Sequence, residues 1–148
     1  MGGQQRVSFA YDPGNLMVSR TRVNQTVNGA THFIHDLFGN VIAEAAPTGL
    51  TQREYVYLPE GLETPVAPTA GRPLGQTGLS RPLAAFDGTG PAAHVLAIHT
   101  DQVLRPVLMT DATAAVAWRA RFRPFGELIS VTGPKSLDAR FPGQWFQF

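Results

Sequence analysis

The chain has 148 residues, 43% of them hydrophobic and 16% charged, enough for one domain that buries roughly 68–70% of its unfolded surface. It holds no cysteine, which excludes disulfide staples, thiolate metal sites and cysteine nucleophiles, and its formal charge of +1 is too small to gather nucleic acid or anionic lipid by field alone. Fifteen glycines and twelve prolines exclude long helices, because Gly and Pro cost about 1 and 3 kcal/mol relative to Ala in a helix interior.

Taken in chain order, short apolar and β-branched stretches recur between turn residues. They run from Val7 to Tyr11, Leu16 to Val23, Thr31 to His35, Asn40 to Glu44, Arg53 to Leu58, Leu83 to Phe86, His94 to Ile98, Pro106 to Thr110, Val116 to Phe122 and Leu128 to Val131. Many alternate, as in Arg53-Glu54-Tyr55-Val56-Tyr57 and Trp118-Arg119-Ala120-Arg121-Phe122, the period of a strand with one face buried. Asp12-Pro13-Gly14-Asn15, Phe38-Gly39-Asn40, Pro124-Phe125-Gly126 and Thr132-Gly133-Pro134 read as turn cores. Ten short strands at this spacing predict an antiparallel meander.

One segment breaks the rhythm. Six of the twelve prolines and six of the fifteen glycines lie from Pro59 to Pro91, which predicts a long loop or insertion. It divides the chain into hairpin repeats over 1–58, a Pro/Gly-rich loop over 59–82 and a C-terminal part over 83–148. Two separate units of about 60 residues would each be marginal, so one sheet interrupted by a loop is expected.

An internal repeat underlies the turns. Tyr11-Asp12-Pro13-Gly14-Asn15-Leu16 and His35-Asp36-Leu37-Phe38-Gly39-Asn40-Val41 share a ring, an Asp, a Gly-Asn pair and an apolar strand, 24 residues apart. A decayed copy starts at Tyr57, and Phe122-Arg123-Pro124-Phe125-Gly126-Glu127 echoes the same turn. The unit is a hairpin in which Asp caps the turn and Gly supplies positive φ.

With its further motifs the chain resembles the RHS/YD-repeat family, in particular the RHS repeat-associated core region. Those motifs are His99-Thr100-Asp101 with Arg105-Pro106, then Thr110-Asp111-Ala112, Val116-Ala117-Trp118-Arg119-Ala120, Pro124-Phe125-Gly126-Glu127 and Arg140-Phe141-Pro142-Gly143-Gln144, in the family's order. The resemblance covers essentially the whole chain apart from the loop after Tyr57. It implies an all-β fold of antiparallel hairpin repeats in a curved, open sheet, part of a β-shell. In bacterial toxins of this family the shell encloses a C-terminal toxic domain, so the partners implied are the rest of such a shell or a toxin cargo. The sequence ends before the tyrosine-rich strands, autocleavage segment and toxin of the family, and none of their residues is carried over. Three departures stand out: Asp12-Pro13-Gly14 reads one residue short, Arg123 replaces the family's Asp, and Leu104 and Ala114 stand where Gly is common.

Candidate sites compete with structural roles. His99 and Asp101 share one strand face at i, i+2, the spacing of an acid–base pair; the resemblance instead implies that Asp101 accepts turn donors and His99 packs between layers. His32, His35, His94 and His99 would need the sheet to fold back to form a metal site, and His32 and His35 point to opposite sides. No cofactor or metal is expected. Arg119, Arg121 and Arg123 alternate along one strand, either as a solvated face or as a basic ladder for an acidic glycan or protein partner. Trp118 and Phe122 face away from them, so no base-stacking platform for nucleic acid arises. Neither a phosphate loop nor a nucleophile elbow occurs. No apolar run approaches the ~18 residues of a membrane span, and residues 1–6 lack the apolar stretch of an export signal. The chain therefore reads as non-enzymatic, and open sheet edges predict self-association.

Overall fold

The computed structural model describes residues 6–23, 28–59, 80–141 and 144–145, and it is all-β. The strands of the main sheet are β1 (Arg6–Tyr11), β2 (Met17–Val23), β3 (Asn28–His35), β4 (Val41–Ala45), β5 (Thr51–Pro59), β6 (Ser80–Asp87), β7 (His94–Thr100), β8 (Pro106–Thr110), β9 (Val116–Phe122) and β10 (Leu128–Thr132). Each pairs antiparallel with its neighbours in sequence, giving one ten-stranded meander in the order β1 to β10. All ten expected strands are present. The two outer strands, β1 and β10, have a neighbour on one side only, so the sheet is open.

The predicted loop is shorter than its composition implied. β6 begins at Ser80, and Tyr57 pairs with Pro82, so residues 80–82 belong to the sheet. Pro82 stands beside an irregularity of the ladder, where the register skips Leu83, the kind of position at which a sheet tolerates proline. Residues 60–79, with the decayed copy after Pro59, lie outside the described residues. Direct pairing of β5 with β6 unites the two halves of the chain in one sheet.

Six turns share one geometry. In each, the first residue's N–H donates to the carbonyl four residues on, and the fourth residue's N–H donates back to the first carbonyl; the first residues are Asp12, Asp36, Ala46, Asp101, Asp111 and Arg123. The fourth residue is left-handed in all six: Asn15, Gly39, Gly49, Leu104, Ala114 and Gly126 have φ between 61° and 89°. This is the three-residue hairpin loop, a type I turn closed by a left-handed bulge residue. The register then skips one residue of the outgoing strand, at Val18, Ile42, Gln52, Val107, Ala117 and Ile129.

This geometry corrects the alignment of the first repeat. Asp12-Pro13-Gly14-Asn15-Leu16 is a turn of full length, and its left-handed residue is Asn15, not Gly14. Asn is among the few residues that enter this region readily, so Asn15 does the work of Gly39. The Ala46 turn escaped notice because it has neither a leading Asp nor the ring that precedes the Arg123 turn. Where Asp leads, its carboxylate closes the loop: Asp36 Oδ1 accepts from the N–H groups of Phe38 and Asn40, at 2.8 and 2.9 Å, and Asp101 and Asp111 accept from the equivalent amides. Ala114 is held left-handed at a cost, so Ala114→Gly is expected to raise the unfolding free energy by about 1 kcal/mol in urea denaturation, whereas Gly39→Ala is expected to lower it by about as much.

One face of the sheet carries the core. Ile98, Met109 and Trp118 stand directly opposite one another, as do Tyr55, Ala85 and Leu96, and all six are buried. The chain after β10 crosses this face. Lys135 N–H donates to Ala117 O of β9 at 3.0 Å, Arg53 of β5 donates to Ser136 O at 2.6 Å, Leu137 is fully buried, and Asp138 pairs with Arg20 of β2 at 2.7 Å. A two-stranded sheet follows, β11 (Ala139–Phe141) with β12 (Gln144–Trp145), and β11 lies against β8. Both strands were missed because three and two residues show no period.

The crossing segment shows that the sheet is curled. In a flat sheet β2 and β9, seven strands apart, would be about 34 Å from one another at about 4.8 Å per step. The three chain steps from Lys135 to Asp138 cover only roughly 10 Å. Two hydrogen-bond lengths and the extended Asp and Arg side chains do not span the remainder. β11 on β8 immediately after Asp138 on β2 makes the same point, so the segment runs along the concave side of an arc.

Candidate functional site

The two faces of the arc differ in chemistry. On the convex face His99, Leu108, Arg119 and Thr132 stand in one cross-strand row, with Arg121 opposite Ser130 in the next. Arg119 and Arg121 are exposed, and β7 to β10 contain no Asp or Glu. Trp118 and Phe122 point to the concave side, where Trp118 is fully buried and Phe122 lies under the Arg105 guanidinium, 4.4 Å from the ring centre. Arg123 does not extend this ladder: β9 ends at Phe122, and Arg123 opens the next turn, paired with Glu127 at 3.2 Å. That pair joins the first and fifth turn residues, the positions an Asp spans elsewhere. Pro124 and Phe125 form the tip of this turn, with Phe125 99% exposed.

His99 and Asp101 are not brought together. His99 is exposed on the convex face with Nε2 3.0 Å from the Thr110 hydroxyl, which corrects the expectation that it packs between layers. Asp101 is fully engaged by its own turn: Oδ1 accepts from Val103 and Arg105 N–H, and Oδ2 from the Arg105 side chain at 2.7 and 2.9 Å. Among the described residues no group of three or more His, Asp or Glu is placed to hold a metal ion. No helix there is long and apolar enough to cross a membrane. Asp12, Asp36 and Asn40 serve the turns: Asp12 accepts from Leu16 N–H at 2.8 Å, and Asn40 donates to both Asp36 and Ser80, while Tyr11 ends β1 just before its turn and is exposed. His35 sits beside them at the end of β3, where burial lowers its pKa against the pull of Asp12 and Asp36. Arg140 and Gln144 fall in β11 and β12, and Pro142 and Gly143 lie outside the described residues.

The concave face holds a polar cluster that spacing in the sequence did not reveal. Phe33, Glu44, Arg53 and Asp87 stand in a single cross-strand row through β3, β4, β5 and β6, so opposite charges sit directly across from one another. Arg53 Nε donates to Asp87 Oδ1, Lys135 Nζ reaches Asp87 at 3.0 Å, and the Tyr55 hydroxyl donates to Glu44 at 2.5 Å. Arg20 is only 4% exposed; it lies 5.5 Å from the Phe33 ring centre and pairs with Asp138, which Arg22 approaches at 3.6 Å. Arg53 meets Asp87 across 34 residues and Ser136 across 83, distances at which sequence spacing carries no signal.

The two carboxyls in this row end up shifted in opposite directions. Burial raises the Glu44 pKa, and the Tyr55 hydrogen bond and nearby Arg53 only partly offset it. Burial acts the same way on Asp87, but there the Arg53 and Lys135 hydrogen bonds and charges outweigh it and hold the pKa below its usual value. Asp87 therefore contributes stability above its unfolded pKa that is lost as pH falls through the depressed folded one. Glu44 acts in the other direction: stability declines as pH rises from its ordinary value through its raised one. Glu44→Gln is thus expected to stabilise the chain at pH 7 and to change little at pH 4, as read by urea denaturation at both; equal effects at the two pH values would contradict this.

Comparison with protein-family models and with curated proteins finds no match. The family resemblance rests on the motifs quoted above.

Proposed function

We propose that this chain is a structural module, a section of curved β-hairpin wall of the RHS/YD kind that contributes surface and enclosure and carries out no chemistry of its own. The observation that carries the reading is the recurrence of one turn, with one bulge behind it, six times along a single meander whose two outer strands are open. Such a unit gains from stacking on further hairpins, because each added strand covers an exposed edge. The partners this reading implies are the rest of a shell, a cargo held against it, or further copies of the chain. Its test is direct: the purified chain, assayed against nucleic acid, glycan and peptide substrates, is expected to turn over none of them. Hydrolysis that disappears on His99→Ala would overturn the proposal.

A second reading is favoured by Arg119 and Arg121, exposed on a part of the convex face whose strands hold no carboxylate. It makes this face a binding surface for an acidic glycan or an acidic protein. Binding to a sulfated glycan that weakens with salt and is lost in the Arg119→Ala/Arg121→Ala variant would support it. Binding that survives both substitutions would rule out this face.

A further inference from the structure

We infer that Gly133–Ala139 is a releasable bowstring: it holds the arc curled by tying β9 to β6, β5 and β2, and it lifts off while the sheet stays folded. The inference rests on how the segment is attached. Its ties include one backbone hydrogen bond from Lys135 to Ala117, one side-chain bond from Arg53 to Ser136 O, the Lys135–Asp87 pair, the Asp138 pairs with Arg20 and Arg22, the buried Leu137 side chain and, at its end, Ala139 of β11 against the core. It adds no strand to the main sheet, whose ladders are complete without it. Losing it leaves the β1 to β10 hydrogen bonds intact and removes contacts from one face only.

Its root is sharply defined. Gly133 has φ of 109°, and a Cβ there would lie 2.5 Å from Ala117 O and 2.8 Å from Trp118 Cα. A side chain at this point would lift the segment where it departs. At the far end Asp138 bridges Arg20 and Arg22, so removing its charge loosens the segment where it reaches β2. One steric and one electrostatic change, at opposite ends, should therefore have the same effect. Once the segment is released, the trough presents Arg20, Arg22 and Arg53 to solvent, and the arc is free to flatten.

The absence of cysteine makes the test clean. In a Leu137→Cys variant, a thiol reagent reacts only when the segment lifts, and hydrogen exchange of β6 to β8 amides reports opening of the sheet in the same sample. The expected result is thiol labelling at least ten-fold more frequent than opening of those amides. Adding Asp138→Asn or Gly133→Ala should speed the labelling about ten-fold further while leaving β6 to β8 exchange unchanged. Exchange of the residue 135–139 amides in the otherwise native chain gives the same comparison if the thiol variant does not fold. X-ray scattering of Gly133→Ala is expected to show a larger radius of gyration. Labelling and sheet exchange that rise together in every variant, or an unchanged radius, would overturn the inference.

Discussion

Trp118→Ala is expected to lower the unfolding free energy by about 3–5 kcal/mol, read by urea denaturation with circular dichroism as the signal. Trp118 is fully buried at the meeting of three elements: it stands opposite Met109 on β8, belongs to the same buried cluster as Leu96, Ile98 and Leu137, and lies directly beneath the root of the crossing segment at Gly133. Removing the indole empties a space that cannot collapse easily, since the backbone of β9 is fixed by ladders to β8 and β10. Folded domains are stable by roughly 5–15 kcal/mol in all, so the loss is a large share of what holds the arc. Val95→Ala on the convex side of β7, next to buried Leu96 and 47% accessible, is the control and is expected to cost far less. Comparable losses from the two would mean that the concave face is not the core.

Asp138→Ala is expected to cost about 3 kcal/mol, and Arg20→Met less than half as much. The asymmetry follows from burial. Arg20 is 4% exposed and Asp138 21%, so truncating the acid takes a carboxylate from a buried guanidinium, whereas replacing the cation leaves an acid with some access to water and to Arg22. Methionine also keeps a long, adaptable chain against the Phe33 ring. Lifting of the crossing segment lets water reach Arg20, which caps the cost of Asp138→Ala at what that segment contributes. The measurement is again the denaturation midpoint. Equal losses, or a greater loss for Arg20→Met, would contradict this account of the pair.

How far the fold can be read from the residues differs sharply between its parts. Strand positions were readable because alternation such as Trp118-Arg119-Ala120-Arg121-Phe122 states both period and face, and the structure places Trp118 and Ala120 inside and both arginines outside. Turns led by Asp were readable because that side chain marks the loop it closes. The Ala46 turn, which closes with backbone bonds alone, was not, and the exchange of roles between Gly14 and Asn15 was hidden because a Gly-Asn pair can be laid on the next in two registers. Ser80 to Pro82 were obscured by composition, since a proline reads as a breaker unless a bulge is known to accommodate it. The concave cluster was out of reach. Glu44, Arg53, Asp87 and Asp138 are joined by strand register and by a crossing segment, neither of which leaves a periodic trace.

The open edges join fold to function, and the mass of the chain in solution tests that link most directly. β10 (Leu128–Thr132) carries no charged residue, while Ile129 and Val131 are 54% and 41% exposed, the features of an edge that pairs with another strand. Sedimentation equilibrium across the micromolar range is predicted to show association that increases with concentration in the native chain and is largely abolished by Ile129→Lys with Val131→Lys. A native chain that remains a stable monomer throughout that range would contradict a hairpin wall built to be continued by its neighbours.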